Sequence, residues 1–427
     1  MVNVRIVYPR DLTKAMSGTC KVASDDVDGG LSFESKAFHL CMVVEDVSCS
    51  VADIIRQEML RVGGNAVISN YSSTNTLAAN TDVLVMGNFG QIDSMRVNIL
   101  SKPEVPADIG SKIQFATQAI EQNGSSFFRC GKYRLELGKK TYIMGILNVT
   151  PDSFSGDGLL LAAAEEQNNI TLKNTLSNSS SSSSQCDVDK DLLIDAACRK
   201  AERMVADGAD IIDVGGESTR PGYTAVDDHE ESDRVIGVVE KLVKTLNVPI
   251  SVDTSKSYVA ENVLKAGAHI INDVNGLLKD PKIGKLAASY GAGVIVMHNP
   301  DEPIQGDTMS CIVASLRKSV DVALKSGLSP DNVVLDPGIG FGKTLEQNLE
   351  VMRRLDELKC IGYPVLLGTS KKSMIGKVLN LPVNERFEGT AATVTLGIAK
   401  GIDFVRVHDV KEICKVVKMS DAMIRKK

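Results

Sequence analysis

The sequence lacks several features that would assign it to whole classes of protein. It has no tryptophan, and only 4% of its 427 residues are aromatic. Its 9 cysteines form neither a Cys-x-x-Cys pair nor a cluster with histidine at zinc spacing, so we expect reduced thiols in a reducing compartment. No apolar run is long enough to span a membrane, and the N-terminus shows no signal or transit peptide. These absences predict a cytoplasmic protein.

Charge and composition limit the partners further. The net charge of −6 gives no general attraction to nucleic acid or to an anionic membrane, so we expect neither as a partner. Basic groups must be concentrated locally if the substrate is an anion. An apolar content of 43% over this length supports one large domain and a smaller one.

The chain contains two regions that repeat different patterns. Residues 1–125 mix helix and strand signals without a catalytic constellation, which predicts a small accessory α/β domain of unknown role. Residues 127–427 alternate short Val/Ile-rich runs with amphipathic helical stretches. Eight such units predict a (β/α)₈ TIM barrel, with a doubly wound open sheet as the alternative. The alternating segment Lys132–Gly138 predicts a hairpin that turns at Gly138-Lys139 and closes the amino-terminal end of the barrel.

A serine- and asparagine-rich insert interrupts the second region at about residues 160–190. It includes a run of six serines. Such a composition cannot bury enough apolar surface to offset the entropy of ordering it. We therefore predict a disordered insert between the loop of the first barrel strand and the first barrel helix.

Polar residues stand at nearly every predicted strand end. In a barrel these ends meet at one face, where such folds carry out catalysis. Single residues have ordinary explanations, since Asp253 could cap a helix and Asp336 could begin a β-turn. Polar residues at nearly every strand end are more than helix caps and turns require. The residues at these ends are Asn148, Asp213, Glu217, Asp253, Asn272, Asp273, Met297, His298, Asp336, Lys372, Arg406 and His408.

The last two units supply positive charge. Arg406 and His408 leave the final predicted strand just before a helix begins near Asp409, and Lys372 follows the neighbouring strand. The loops after the seventh and eighth strands of such barrels commonly bind an anion with the help of a helix N-terminus. A substrate that carries a diphosphate would suit this end of the site.

The acidic and amide side chains predict a second end of the same site. Asp253, Asn272 and Asp336 offer acceptors and donors for the edge of a flat nitrogen heterocycle. The site then has a heterocycle end and an anion end.

Seven segments together resemble the dihydropteroate synthases of folate biosynthesis. The resemblance covers about residues 127–427. It implies a transferase that joins 7,8-dihydropterin-6-ylmethyl diphosphate to 4-aminobenzoate and releases diphosphate, with sulfonamides competing for the aminobenzoate site. It also implies a homodimer. The segments are Met144–Phe154, Asp210–Gly222, Ile250–Ser255, Ile271–Val274, Asp336–Lys343, Gly368–Gly376 and Arg406–Val410.

The resemblance implies roles for individual residues. Arg406 would stack on the pterin ring and, with His408 and Asn148, hold the diphosphate and its Mg²⁺. The pterin ring would be bound by Asp253, Asn272, Asp336 and Lys372, in a pocket lined by Met297. The loop over aminobenzoate would contain Thr219, Arg220 and Pro221, with Phe341 and Ser373 nearby. The residues implied as catalytic are Asp253, Lys372, Arg406 and His408.

Two other functions are compatible with a pterin-binding barrel. A methyltetrahydrofolate-dependent methyltransferase shares the barrel but would not need the loop at Thr219–Pro221 or the cationic end of the site. A non-catalytic pterin-binding protein would hold the ring without reaction. The first loop leaves this alternative open, because Gly156-Asp-Gly158 replaces the Asp-Gly-Gly that is usual in the family.

Overall fold

The computed structural model describes residues 38–69, 80–121, 126–149, 182–217 and 226–425, with only the backbone for residues 182–190. The chain divides into two compact units, Met1–Gln118 and Ala119–Lys427. None of the helices in these described ranges has the length and apolar character needed to cross a bilayer.

The first unit is a small α/β fold with an antiparallel sheet in the order β1-β3-β2. Apolar residues of the sheet, such as Val83 and Val85, pack against Ile55, Met59 and Ile92 of the helices. In chain order its elements are β1 (His39–Ser48), α1 (Cys49–Arg61), β2 (Asn65–Ile68), β3 (Asn80–Asn88), α2 (Phe89–Leu100) and α3 (Ala107–Glu121), which continues past the boundary between the units.

The second unit alternates strands and helices after an initial hairpin. Its elements are β4 (Phe127–Cys130), β5 (Tyr133–Glu136), β6 (Tyr142–Asn148), α4 (Ser182–Ala206), β7 (Ile211–Gly215), α5 (Asp228–Thr245), β8 (Ile250–Asp253), α6 (Ser257–Lys265), β9 (Ile270–Asp273), α7 (Lys282–Ser289), β10 (Gly293–Met297), α8 (Thr308–Lys325), β11 (Val333–Asp336), α9 (Leu345–Arg353), β12 (Leu366–Leu367), α10 (Ser373–Leu379), α11 (Phe387–Lys400), β13 (Phe404–Val407) and α12 (Val410–Ile424).

Strands β6 to β13 form a parallel barrel. Their order is β11-β10-β9-β8-β7-β6-β13-β12, and a parallel bridge between Leu335 and Val365 joins the first and last strands of this series. The sheet therefore has no free edge, which excludes the doubly wound alternative and confirms the predicted TIM barrel with a smaller α/β region before it. The strands are buried on both faces, as expected when helices cover a parallel sheet.

The hairpin closes the amino-terminal end of the barrel. Phe128 of β4 packs with the ring of Phe404 at a centroid distance of 5.7 Å, inside the lower layer of the barrel. The predicted turn at Gly138-Lys139 is wrong, because the strands are joined at Gly131-Lys132. Gly131 has φ +55°, which glycine adopts at little cost. The alternating pattern read from the sequence covers only the second strand of the hairpin.

The predicted insert falls mostly on residues 150–181, which lie outside the described residues. Disorder there stays a prediction. Helix α4 begins at Ser182, within the range expected to be disordered. Each residue added to an existing helix fixes only its own backbone and gains one hydrogen bond, so a packed helix can extend into a sequence that has little apolar content.

Candidate active site

A single cleft collects most of the predicted residues at the carboxyl ends of the barrel strands. It contains about 470 Å³ of space between atoms, a figure that includes its open mouth. The described residues that line it are Ile146, Asp253, Asn272, Val274, Met297, Asp336, Ile339, Phe341, Gly368, Ser370, Lys372, Arg406 and His408.

Strand register aligns several residues at the carboxyl ends of neighbouring strands. Asn148 is aligned with Gly215, Gly215 with Asp253, and Asp253 with Asn272, across β6 to β9. In the same way Met297 is aligned with Asp336. Residues that are far apart in sequence therefore share one end of the barrel because parallel strands keep their carboxyl ends together.

Arg406 is held between two carboxylates. Its Nε donates to Asp213 Oδ2 at 2.6 Å, and its Nη2 donates to Asp253 Oδ2 at 2.7 Å. Asp213 Oδ2 also accepts from Asn272 Nδ2 at 3.2 Å. Burial by itself would lower the pKa of Arg406, but the two carboxylates raise it, so the guanidinium stays charged.

Burial raises the pKa values of the carboxylates in the cleft, whereas it lowers that of a cation. It raises the pKa of Asp253 to about 7, with Arg406 opposing the shift and Asp213 adding to it. It also raises the pKa of Asp336, whose Oδ1 accepts from the Gly338 N–H at 2.8 Å. Asp253 Oδ1 is buried and has no hydrogen-bond partner among the described residues. An unpaired acceptor at the floor of a cleft indicates a site for a ligand donor.

The loop after β11 carries an aromatic wall of the cleft. Lys372 Nζ lies 4.1 Å from the centroid of the Phe341 ring. Beneath the loop, Lys343 Nζ donates to the carbonyls of Gly338 at 2.9 Å and Phe341 at 3.1 Å. Burial lowers the pKa of Lys343 to about 7. These contacts fix the loop that presents Phe341 to the cleft.

The end of β13 forms the opposite side of the cleft. Ser370 Oγ lies 2.9 Å from His408 Nδ1 and accepts the His408 N–H at 3.2 Å. Helix α12 begins two residues later, so its free N–H groups add partial positive charge near His408 and Arg406. The cleft thus combines buried carboxylate and amide groups with the cations Arg406 and Lys372 and with His408.

One predicted residue, Ser373, is not brought to this cleft. Ser373 is exposed as the first residue of α10 and does not line it. It faces outward because the helix turns its second and third residues, Met374 and Ile375, into the core. The residues Thr219, Arg220 and Pro221 lie outside the described residues, as do residues 150–154 of the first motif.

The metal ligand implied by the resemblance, Asn148, ends β6 without lining the cleft. A side chain at Gly215 would meet Asn148 Oδ1 at 3.6 Å and the Cβ of Asp253 at 3.8 Å, so Asn148 stands beside the floor of the site. Within the described ranges, no three His, Cys, Asp or Glu side chains are grouped as metal ligands.

Asp213 and Ser370 are contacts that the assignment of roles from the sequence missed. Asp213 is fully buried and touches both Arg406 and Asn272. A signal was present in the sequence, because a carboxylate inside the apolar run of β7 is rarely buried without a partner. Ser370 belongs to the segment Gly368–Gly376 that carries the resemblance, but its contact with His408 depends on the pairing of β12 with β13.

Comparisons with known proteins show which family the chain is similar to. The family model for pterin binding enzymes matches residues 176–408. The chain is 47% identical to a dihydropteroate synthase from Bacillus subtilis, over 68% of this chain and 92% of that protein. It is 35% identical to a probable bifunctional folylpolyglutamate synthase/dihydropteroate synthase from Halobacterium salinarum, over 87% of this chain and 41% of that protein. This share exceeds the second unit, so the similarity reaches into the first.

A solved structure gives the same result. The dihydropteroate synthase of Clostridium difficile, determined with pteroic acid, superposes with a TM-score of 0.59 at 47% identity, over 68% of this chain and 99% of that chain. The family model spans more than half of the present sequence, and relatives well above 30% identity are covered over nearly their whole length. The chain therefore belongs to the dihydropteroate synthase family of pterin binding enzymes.

Proposed function

We propose that this cleft is where the chain condenses 7,8-dihydropterin-6-ylmethyl diphosphate with 4-aminobenzoate, giving 7,8-dihydropteroate and diphosphate. The observation that carries the proposal is one cleft in which the acceptors Asp253, Asn272 and Asp336 lie with the cationic groups Arg406 and Lys372 and with His408. A methyltransferase has no leaving diphosphate and would not need these cationic groups. A binding protein carries out no reaction and would not need them for catalysis.

The pterin ring would lie on the floor of the cleft. Asp253, Asn272 and Asp336 present oxygens and an amide to the donor-rich edge of the ring, while Met297 contacts its face. The unpaired Oδ1 of Asp253 is a suitable acceptor for a ring N–H or amino group. Arg406, held in one plane by its two carboxylates, can stack on the ring and still turn N–H groups toward the diphosphate.

The chemical step breaks the bond between the pterin methylene and the diphosphate oxygen and forms a bond from the methylene to the aniline nitrogen. The aniline is neutral at pH 7, so its nitrogen needs no strong base and loses its proton to solvent after attack. Departure of diphosphate is the harder part. Lys372, Arg406 and His408 would offset the charge that develops on the leaving group.

Asn148 would bind a Mg²⁺ that arrives with the diphosphate. Its amide oxygen is a hard donor, as Mg²⁺ prefers, and Mg²⁺ in phosphate sites commonly takes few protein ligands together with phosphate oxygens. When bound, the ion would neutralise charge on the diphosphate. We expect chelation by EDTA to abolish diphosphate release and added Mg²⁺ to restore it. Full activity after exhaustive chelation would contradict this part of the proposal.

The aminobenzoate would approach from the open side of the cleft, beside Phe341 and Lys372. In this proposal Thr219, Arg220, Pro221 and Ser373 belong to that outer part. A solved structure of a Yersinia pestis relative contains a sulfonamide drug complex. We therefore expect sulfonamides to compete with 4-aminobenzoate but not with the pterin diphosphate in this enzyme.

The assembly proposed for the enzyme is a homodimer. Met419 and Met423 on α12 are about 60% exposed (60% and 61%), and Leu396 on the adjacent α11 is 40% exposed. The two helices touch where Ser420 Oγ donates to Thr395 Oγ1 at 3.2 Å. An apolar surface of this kind suits a self-complementary contact. Analytical ultracentrifugation should give a dimer that the change Met419→Lys with Met423→Lys converts to monomer.

The cytoplasmic location stays a prediction, supported by the buried free thiols of Cys130, Cys198 and Cys414. Cell fractionation tests it.

A direct assay tests the proposed reaction. The purified chain, mixed with both substrates and Mg²⁺, should release one diphosphate for each dihydropteroate formed. Neither substrate alone should give diphosphate. Tight pterin binding without condensation would support the non-catalytic alternative instead, and transfer of a methyl group from methyltetrahydrofolate would support the methyltransferase.

A further inference from the structure

We propose that Asp213 is a positioning residue that sets the orientation of both Arg406 and Asn272, and thereby the preference of the cleft for a donor-rich heterocycle edge. The inference rests on the proposed function. Asp213 does not line the cleft and is fully buried in the middle of β7, so it would act through its two partners rather than on the substrate.

The first partner is the guanidinium of Arg406. A guanidinium is a planar fork, so two contacts along different edges define its plane. Asp213 holds the Nε edge and Asp253 holds Nη2. Asp253 is also expected to contact the ring, which leaves Asp213 as the contact that keeps Arg406 in place whether or not a ligand is bound. Without Asp213, Arg406 would retain only one carboxylate and could rotate about that contact.

The second partner is the amide of Asn272. An ionised carboxylate only accepts hydrogen bonds, so the Asn272 group that faces Asp213 must be the NH₂. The amide oxygen is then turned away from Asp213, and the cleft, which Asn272 lines, receives an acceptor. A neutral amide in place of Asp213 could accept or donate, and the Asn272 amide could then adopt either orientation.

A purely stabilising role does not explain why a carboxylate is buried at position 213. A buried carboxylate loses its hydration, and pairing with arginine often does no more than offset that loss. Asp213 Oδ1 has no hydrogen-bond partner among the described residues, which adds to the cost. What the carboxylate supplies is a fixed direction for a cation and for an amide on two other strands.

The test compares Asp213→Asn with Asp421→Asn in the full chain. Asp421 Oδ1 also accepts from an arginine Nε, that of Arg425, at 2.8 Å, but at the other end of the barrel. Two probes are used: 6-hydroxymethylpterin and its analogue with a 2-oxo group in place of the 2-amino group. Dissociation constants of both probes, kcat and KM are measured for each variant.

The unaltered chain should prefer the 2-amino probe by at least about tenfold, the effect of one mismatched hydrogen bond in a buried site. Asp213→Asn should reduce this preference about tenfold or more and lower kcat/KM for the pterin diphosphate by a similar factor. Asp421→Asn should lower the melting temperature while leaving the preference and kcat/KM within about twofold, because it breaks a similar pair away from the cleft.

An unchanged preference in Asp213→Asn would overturn the inference, as would an equal loss in both variants. Asp213→Ser, which leaves room for water beside Arg406, replaces Asp213→Asn if that variant does not fold, with the same expected and contrary results. The proposed reaction is tested separately from the role of Asp213. If the unaltered chain releases no diphosphate, the reaction is wrong, whereas the probe preferences still decide the role of Asp213.

Discussion

At the scale of single residues, charge in the cleft is locally balanced although the chain is acidic overall. Arg406 lies between Asp213 and Asp253. Burial raises the pKa of Asp336, and the nearby charge of Lys372 opposes that shift. The cations are therefore part of the same network as the carboxylates, and removing one leaves buried negative charge without compensation.

Replacement of Lys372 tests this balance of charge most directly. Lys372→Ala removes a cation that faces Phe341, the two cleft carboxylates and the proposed path of the diphosphate. We expect kcat/KM to fall by roughly two to three orders of magnitude while the fold survives. Lys377→Ala, at an exposed position on helix α10, which begins just after Lys372, is the control and should leave kcat/KM unchanged. Near-normal turnover in Lys372→Ala would remove Lys372 from the proposed machinery.

His269 gives a prediction about stability and pH. Its Nδ1 accepts the Ile250 N–H, and burial, with Lys132 adding to it, lowers its pKa to about 4 from 6.5. Below pH 6.5 the unfolded chain takes up a proton that the folded chain does not. Stability from this group is therefore present above pH 6.5 and is lost as pH falls toward 4, by roughly 3 kcal/mol.

Urea unfolding at pH 7 and pH 4.5 would measure this loss. His269→Gln keeps an acceptor for the Ile250 N–H but cannot titrate, so acidification should cost this variant roughly 2–3 kcal/mol less than the unaltered chain. His229→Gln at an exposed site should follow the unaltered chain. Parallel pH dependence in all three would show that His269 is protonated in the folded state.

At the scale of elements, the turn after β11 depends on glycine for space as well as for backbone conformation. Gly338 has φ +67°, and a Cβ there would lie 2.0 Å from the carbonyl oxygen of His298. Gly291 has φ +62° with nothing within 4 Å of the same position. The two sites share a left-handed backbone and differ only in their surroundings.

Alanine at each position should separate these two effects. Gly291→Ala should lower the free energy of unfolding by about 1–2 kcal/mol, the cost of a left-handed conformation. Gly338→Ala should cost more and should also lower kcat/KM by roughly a hundredfold, because the clash displaces the turn that holds Asp336. Denaturant titration and the diphosphate assay measure both. Equal effects of the two changes on stability and activity would contradict this account.

At the scale of the whole molecule, we expect the catalytic machinery to reside in the second unit. The Clostridium difficile structure is covered over 99% of its length by only 68% of this chain. Residues 122–427, which begin after α3, should therefore fold and release diphosphate with kcat/KM within roughly tenfold of the full chain. A folded but inactive truncation would show that the first unit contributes to the site, and rescue of a strain that lacks this folate step gives an independent measure.

The sequence by itself determined the barrel and the composition of its mouth. Alternation of apolar runs with amphipathic stretches is a local property, and so is a polar residue where an apolar run ends, so both could be recognised without coordinates. Asp253, Asn272, Asp336, Lys372 and Arg406 were predicted for this reason. The resemblance supplied their roles.

Only the tertiary structure decided how these side chains pair. Asp213 and Arg406 are 193 residues apart, and their 2.6 Å contact follows from the register of the strands and the closure of the barrel. The same holds for the turn of the hairpin at Gly131 and for the outward position of Ser373. Local sequence sets which residues reach the mouth of the barrel, whereas distances between strands set which of them meet, because hydrogen bonds and ion pairs depend on separations of a few ångströms.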